Sequence, residues 1–284
     1  MKTRRSIPLT VAMLAVLAYF LIPLFWLAIS STKSTQDLFN TFGLWFSHAP
    51  QLLTNVRSTF STNGGVFIRW MFNTVLYAGV SSIGAAFLAA FAGYGFAKYR
   101  FHGAKAGFNL VVGTIMVPTT ALAIPTYLLF SNVGLVNTPW AVILPSLINP
   151  FGLYLMRIYA QDAVPDSLIE AARIDGAGEL RIFFRIALRL LAPGLVTVLL
   201  FTLVTTWNNY FLPLIMLNNP NLYPVTVGLS SWAAQAQNGG AGASSNMFAL
   251  VTTGSLLSII PLVVAFLFLQ RYWQSGLATG AVKQ

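Results

Sequence analysis

The chain has 284 residues, 56% hydrophobic and only 8% charged, with a net charge of +10 and a mean hydropathy of +0.72. Soluble domains are about 25% charged, so this composition describes a membrane protein, and its basic excess speaks of membrane topology rather than of nucleic acid. There is no Cys, which excludes disulfides and thiolate metal sites. The two histidines, His48 and His102, lie too far apart in sequence to read as a metal site, and no Gly-Lys pair exists for a loop that cradles ATP phosphates.

A membrane helix needs about 20 mostly apolar residues. In chain order the stretches that qualify run over 8–30, 70–97, 107–130, 139–160, 193–217 and 247–270, which predicts an all-α membrane protein with six transmembrane helices. The first follows the basic start "MKTRRS" and is read as a retained helix, because its apolar run is too long for a signal peptide. The Lys and Arg residues between and beyond these spans divide thirteen to three. The richer side holds the N-terminal segment, the 98–105 loop, the loop after the fourth span and the tail. The poorer side holds Lys33, Arg57 and Arg69. By the positive-inside rule both termini are cytoplasmic.

No Asp, Glu, Lys or Arg lies in the apolar body of a span; Arg157 stands at the cytoplasmic end of the fourth. Ion-coupled carriers usually place ionisable groups there, so this pattern disfavours a secondary transporter without excluding one. Neutral polar groups are plentiful, among them Asn73 and Thr74 in the second span and Asn149 in the fourth. Polar groups in lipid must find partners, and helix–helix glue is the bland reading. The run "TTWNNY" in the fifth span clusters Thr206, Trp207, Asn208 and Asn209. Together with Asn149 it suits a passage for a hydroxyl-rich solute, and an interfacial aromatic belt explains its rings equally well. On the outer side, 31–69 has room for a short helix or two. The uncharged stretch 218–246, with "QAQNGGAGASSN", is either a solvated linker or a finger that touches an external partner.

Five of the six acidic residues (Asp162, Asp166, Glu170, Asp175 and Glu179) gather in the cytoplasmic loop 161–192. "PDSLIEAARIDG" reads as a short helix capped by Ser167, in a capping box with Glu170, or by Asp166. Gly176 is placed for a left-handed C-cap. A second helix from about Glu179 carries Arg181, Arg185 and Arg189 on one stripe toward lipid phosphates. Ala171 and Ala172 are expected on the exposed face of the first helix, where small residues admit another protein's surface.

"EAARIDGAG", followed by "IAL", resembles the cytoplasmic signature of the membrane permeases of binding-protein-dependent ABC importers. "MVPTTALAIPTYLLFSNVGLVNTPWAVILP" at 116–145 resembles that family's third and fourth spans, and "GLATGAVKQ" at 276–284 resembles the tail of its sugar-importing branch. The resemblance runs from about residue 70 to the end. It implies a type I importer architecture in which the signature helix, between the fourth and fifth spans, is a coupling helix docked on a separate ATPase. Glu170, Ala171, Ala172, Asp175, Gly176, Ala177 and Gly178 would carry that contact. It also implies a second homologous permease, two ATPase subunits holding ATP and Mg, an extracytoplasmic solute-binding protein that meets 31–69 and 218–246, and a place in the bacterial plasma membrane among its lipids. This chain would then bind no cofactor and catalyse no reaction. Arg189 stands where the family usually has Pro, which is expected to straighten the second helix. Other readings are a permease of the same family for another small polar solute, an ion-coupled carrier, or a scaffold without a pathway.

Overall fold

The structure is a computed structural model that describes residues 6–238 and 246–281, with side chains described as far as Gln270. The basic residues Lys2, Arg4 and Arg5, most of the "NGGAGAS" stretch and the side chains of the tail motif lie outside the described residues. Among those described there is no β-strand. The helices are α1 (Ile7–Ser30), α2 (Thr35–Asn40), α3 (Leu52–Ser61), α4 (Val66–Lys98), α5 (Ala104–Thr114), α6 (Ala123–Asn132), α7 (Trp140–Leu147), α8 (Pro150–Ala163), α9 (Asp166–Ile174) and α10 (Glu179–Ile182). After a π turn at Phe183–Ala187 come α11 (Leu188–Leu190), α12 (Ala192–Trp207), α13 (Phe211–Met216), α14 (Val225–Asn238) and α15 (Met247–Ala281).

Length and composition mark four stretches as able to cross a membrane: Ile7–Ser30, Val66–Lys98, Trp140–Ala163 and Met247–Gln270. A fifth arises if Glu179–Leu190 and Ala192–Trp207, bent by 78°, count as one span. The expected span 107–130 is not one helix. Pro118, which lacks an N–H and disfavours helix in the residue before it, lies in a run of turns between α5 and α6. The two pieces have 11 and 10 residues, each short of the roughly 20 that a crossing needs. The span 193–217 is likewise divided, by Asn208–Tyr210 between α12 and α13.

The chain forms two compact units, one of residues up to Arg69 with Gly228–Pro261 and one of Trp70–Val227 with the residues after Pro261. In the first, α1 is apolar on every side and almost wholly exposed. The segment after it folds into α2 and α3. Lys33, read above as an exterior charge, is buried there; its ammonium donates to Thr41 Oγ1 at 2.8 Å and to the Phe42 carbonyl at 2.7 Å. The Asn55 amide bridges the Ser31 and Lys33 carbonyls at 2.9 Å each. Thus a polar segment is ordered by hydrogen bonds that compensate its own burial.

In the second unit α4 is the organising element. Ala85, Ala86, Ala89 and Ala90 recur at helical spacing and are all buried, so backbone can approach backbone along one stripe. At Gly93 the approach is closest. A Cβ there would lie 2.7 Å from the Arg157 nitrogen and from Met156 Cβ. Just beyond that contact the Arg157 guanidinium sits 4.0 Å above the Phe108 ring, which joins α8 to α5 by a cation–π contact.

The N-terminal end of α4 spends its polar groups on one loop. Trp70 Nε1 donates to the Pro220 carbonyl at 2.8 Å. Asn73 Nδ2 donates to the carbonyls of Asn221 at 2.8 Å and Tyr223 at 3.0 Å. The Tyr77 hydroxyl donates to Leu222 at 2.8 Å, and Thr74 Oγ1 accepts the Val225 N–H at 2.8 Å. Residues 220–225 are thereby held by side chains that composition alone reads as generic polar glue.

Substituting Gly93 with Ala should overpack the α4–α8 contact and lower stability by about 1–3 kcal/mol. Thermal unfolding of the purified protein in mild detergent measures this, and a variant as stable as wild type would show that the contact yields freely.

Candidate functional site

The loop between α8 and α12 begins where Val164 and Pro165 take extended geometry and α9 starts at Asp166. Pro165 holds the N-cap position and no side chain caps the helix, so the expected capping box of Ser167 and Glu170 does not form. Asp166 still lies in the first turn, where a carboxylate is favoured by the helix dipole, and its oxygen takes the Lys98 ammonium at 2.7 Å.

The other end of α9 closes as the sequence predicts. Gly176 has φ +77°. Its N–H donates to the Arg173 carbonyl at 3.0 Å, and the Ala177 N–H donates to the Ala172 carbonyl at 2.9 Å. This pair of bonds is a Schellman motif, which satisfies two carbonyls the helix end would leave open. A residue with a Cβ adopts that φ at a cost of roughly 1–2 kcal/mol.

Ile169 and Ala172 face inward and join Tyr94, Ile182, Phe183, Ala187 and Leu191 in one apolar cluster. Of the seven residues expected at the docking surface, Glu170, Ala171, Asp175, Gly176 and Gly178 are exposed. Ala172 is buried and Ala177 is half-buried, so these two build the loop from beneath. The outer face instead carries Ile174, 87% exposed. Sequence reading passed over it, although a signal existed. At about 100° per residue Ile174 lies about 140° around the helix from Ile169, off the inward face.

The acidic cluster divides in two. Glu179 accepts Arg173 Nε at 2.7 Å and Nη2 at 3.2 Å, and the Tyr99 hydroxyl at 2.6 Å. Those bonds, Arg173 first and Tyr99 second, hold its carboxyl below the ordinary value of 4.5. The Arg173 guanidinium is shifted up by the same pairing. Burial, and then the bond to Glu179, push the Tyr99 hydroxyl well above its ordinary range. The hydrogen bond from Lys98 holds Asp166 below 3.8. Asp166 and Glu179 are thus engaged by Lys98, Arg173 and Tyr99, although they stand on exposed positions like Asp162, Glu170 and Asp175.

The second half of the loop departs from a regular helix. The π turn at Phe183–Ala187 sits between α10 and α11, yet Arg181, Arg185 and Arg189 all stay exposed. Arg189 does not straighten the path into the next span. The chain bends by 78° at the buried Leu191, just ahead of Pro193 in the first turn of α12, where a missing N–H costs nothing.

The five residues proposed to line a passage have mixed surroundings. Thr206 and Trp207 are buried. Asn208 is exposed and donates to the Val204 carbonyl at 2.8 Å. The half-buried Asn209 gives its carbonyl to Thr226 Oγ1 at 2.8 Å. Asn149 caps α8 by accepting the Gly152 N–H at 2.7 Å and donates to Thr202 Oγ1 at 2.8 Å. Its amide is occupied at both ends by the fold.

The site is a helix–Gly turn–helix set between α8 and α12 of a helical fold that, among the described residues, has several stretches apolar enough to cross a membrane. The chain belongs to the family described as binding-protein-dependent transport system inner membrane component, which matches residues 83–278. Among its relatives is the arabinooligosaccharides transport system permease protein AraQ of Bacillus subtilis, 31% identical over 98% of this chain and 95% of that one. The melibiose/raffinose/stachyose import permease protein MelC of the same organism is 31% identical over 99% of this chain and 98% of that one. The lactose transport system permease protein LacG of Rhizobium radiobacter is 30% identical over 92% and 90%. A chain of a bacterial ABC transporter involved in the import of the acidic polysaccharide alginate superposes with a TM-score of 0.77, at 21% identity, over 96% of this chain and 99% of that one. That last likeness concerns the fold.

The signs of the two carboxyl shifts set a pH dependence for the loop. Both folded-state values are depressed, so the pairing contributes fully above the ordinary carboxyl values of 4.5 and 3.8 and is lost as pH falls through the lower folded ones. Amide hydrogen exchange of residues 166–182, corrected for the intrinsic rate, should therefore be steady from about pH 8 to about pH 5 and rise below it. Glu179→Gln should weaken that rise. A loop whose exchange ignores pH over this range would show that these pairs do not hold it.

Proposed function

We propose that this chain is the transmembrane permease subunit of an ATP-driven ABC importer that brings a sugar or oligosaccharide into the cytoplasm. The observation that carries this reading is the exposed face of α9. Glu170, Ala171, Ile174, Asp175 and Gly176 stand out from a helix locked beneath by Ile169 and Ala172 and closed by a left-handed glycine. Such a face suits a cleft on a second protein: an apolar anchor, a small residue that permits close approach, and flanking negative charge. In this reading α9 is the coupling helix. Two ATPase subunits dock on it and on its counterpart in a second homologous permease, and they hold the ATP and Mg.

The remaining assignments follow from that one. Six crossings with both termini cytoplasmic satisfy the thirteen-to-three division of basic residues. The broken stretches 107–130 and 193–217 then cross as bent or interrupted helices, which a membrane tolerates where other protein satisfies the freed backbone groups. An extracytoplasmic solute-binding protein delivers substrate to the outer loops. The sugar relatives named above support a carbohydrate cargo. The chain itself performs no bond chemistry. It contributes contacts with the motor that differ between two states, and only such a difference shifts an equilibrium.

The test is purification from the native membrane in mild detergent, with identification of whatever accompanies the chain. Wild type should bring an ATPase and a second permease. Ile174→Asp and Glu170→Lys should each weaken ATPase retention, Ile174→Asp by roughly thirtyfold, as for a buried interface anchor, while the second permease stays bound. Retention of the ATPase by both variants at wild-type level would remove α9 from the docking site. Sugar uptake by the intact transporter, across a panel of labelled solutes, then identifies the cargo class.

A further inference from the structure

Two helices, α8 and α12, flank the loop in the chain and a third, α4, ends against it, and the three differ as mechanical parts. The stretch α7–α8 is interrupted at Ile148–Asn149, and α8 has 14 residues, roughly 21 Å at about 1.5 Å each. The helix α12 meets the loop through a 78° bend and has 16 residues, roughly 24 Å. Neither matches the roughly 30 Å of a bilayer core as one straight piece. By contrast α4 contains no proline and stays one continuous helix through 33 residues, including the Gly79, Ser81, Ser82 and Gly84 stretch where a helix could otherwise bend. From Trp70 to Lys98 it measures roughly 42 Å at about 1.5 Å per residue.

Both ends of that rod are clamped by side chains. At the inner end Lys98, whose side chain is 7% exposed, reaches Asp166 at 2.7 Å, and so a buried stem ties α4 to the first turn of α9. One residue on, the Tyr99 hydroxyl donates to Glu179 at 2.6 Å, and Glu179 in turn holds Arg173 of α9. Beneath these bonds Tyr94 packs on Phe183 with ring centroids 5.4 Å apart, and Phe91 packs on the same ring at 5.1 Å. Polar bonds and packing thus join the end of α4, α9 and α10 into one body. At the outer end Trp70, Asn73, Thr74 and Tyr77 hold residues 220–225.

We infer that α4 is the transmission rod of this permease: Lys98 and Tyr99 are positioning residues that pass displacement of α9 into α4, and Trp70 and Asn73 pass it on to the outer loop at 218–225. The inference rests on the reading of α9 as the docking helix. It adds which helix carries the motion and where it is delivered. A stiff helix fastened at both ends moves its two attachments together, and a two-state displacement at one then biases the other.

The experiment uses the assembled transporter in lipid nanodiscs. A fluorophore is placed on Asn218→Cys, an exposed loop position, and because the chain has no other cysteine the signal of the unsubstituted assembly is the background to subtract. The readouts are the ATP-dependent fluorescence change, ATP hydrolysis, ATPase retention and solute uptake. In wild type the change at position 218 should follow ATP. In Lys98→Met/Tyr99→Phe the ATPase should remain bound and active, while the change at 218 and the uptake per ATP both fall roughly fivefold to tenfold. Lys98→Arg should keep both. Asn73→Ala, at the far end from the loop, should reproduce the loss without touching the docking helix, and it decides the matter if the inner variant fails to assemble. A full-size change at 218 in Asn73→Ala, or in the inner variant, overturns the proposal. So does a wild-type transporter that holds its ATPase and shows no ATP response at 218. Absence of any ATPase from the wild-type assembly sinks the docking reading itself, which keeps the two failures apart.

Discussion

The carboxylate of Glu179 is the point on which the loop between α8 and α12 turns. It is bound at once by Arg173 and by Tyr99, so one group joins α9, α10 and the residue that follows α4. An exposed ion pair alone contributes little. Here the pair stands over an apolar floor of Ile169, Ala172, Ile182 and Phe183, and the packing supplies what the charges cannot. The outcome is a loop whose inward face is fixed from two sides, leaving Glu170, Ala171 and Ile174 exposed on its outward face.

Economy of polar groups governs the rest of the fold. In a hydrocarbon surrounding, an unpaired amide or hydroxyl is expensive, and several such groups in this chain hold irregular backbone. Asn73 and Thr74 secure the outer loop, Asn149 caps α8, and Asn55 secures the segment after α1. Even Lys33 is satisfied by a hydroxyl and a carbonyl rather than by a carboxylate. Residues that look like candidates for contact with a sugar are in several cases occupied with the protein's own carbonyls. The breaks in the predicted spans are the counterpart of this economy. At two of the interruptions a side chain takes up a freed backbone group, the Asn149 amide at the Gly152 N–H and the Thr226 hydroxyl at the Asn209 carbonyl.

Much of this was legible beforehand, for reasons that act over short sequence distances. Apolar runs mark the long helices because spanning length is a local property. Gly176 is recognisable because only glycine adopts φ near +77° cheaply. The signature at 170–178 identifies the family. The helix start at Asp166 was misplaced onto a capping box because Pro165 takes the cap position, and the division of 107–130 was missed because hydropathy averages over Pro118. Ala172, expected on the exposed face, is buried, and Ile174, to which the motif assigns no role, is exposed, because a motif read as a string carries no inward direction.

By itself, then, the sequence determined the membrane class, the family, and the glycine that turns the loop. Each of these depends on composition or on neighbours within a few positions. Only the tertiary structure decided which acids pair with Lys98, Arg173 and Tyr99, which helix runs unbroken beside the loop, and what the polar residues of α4 hold. The partners in those bonds lie far apart in the chain: Asn73 and Tyr223 are separated by 150 positions, and Tyr99 and Glu179 by 80. No periodicity or spacing encodes such a pairing, because it arises only when helices formed by local rules are brought side by side.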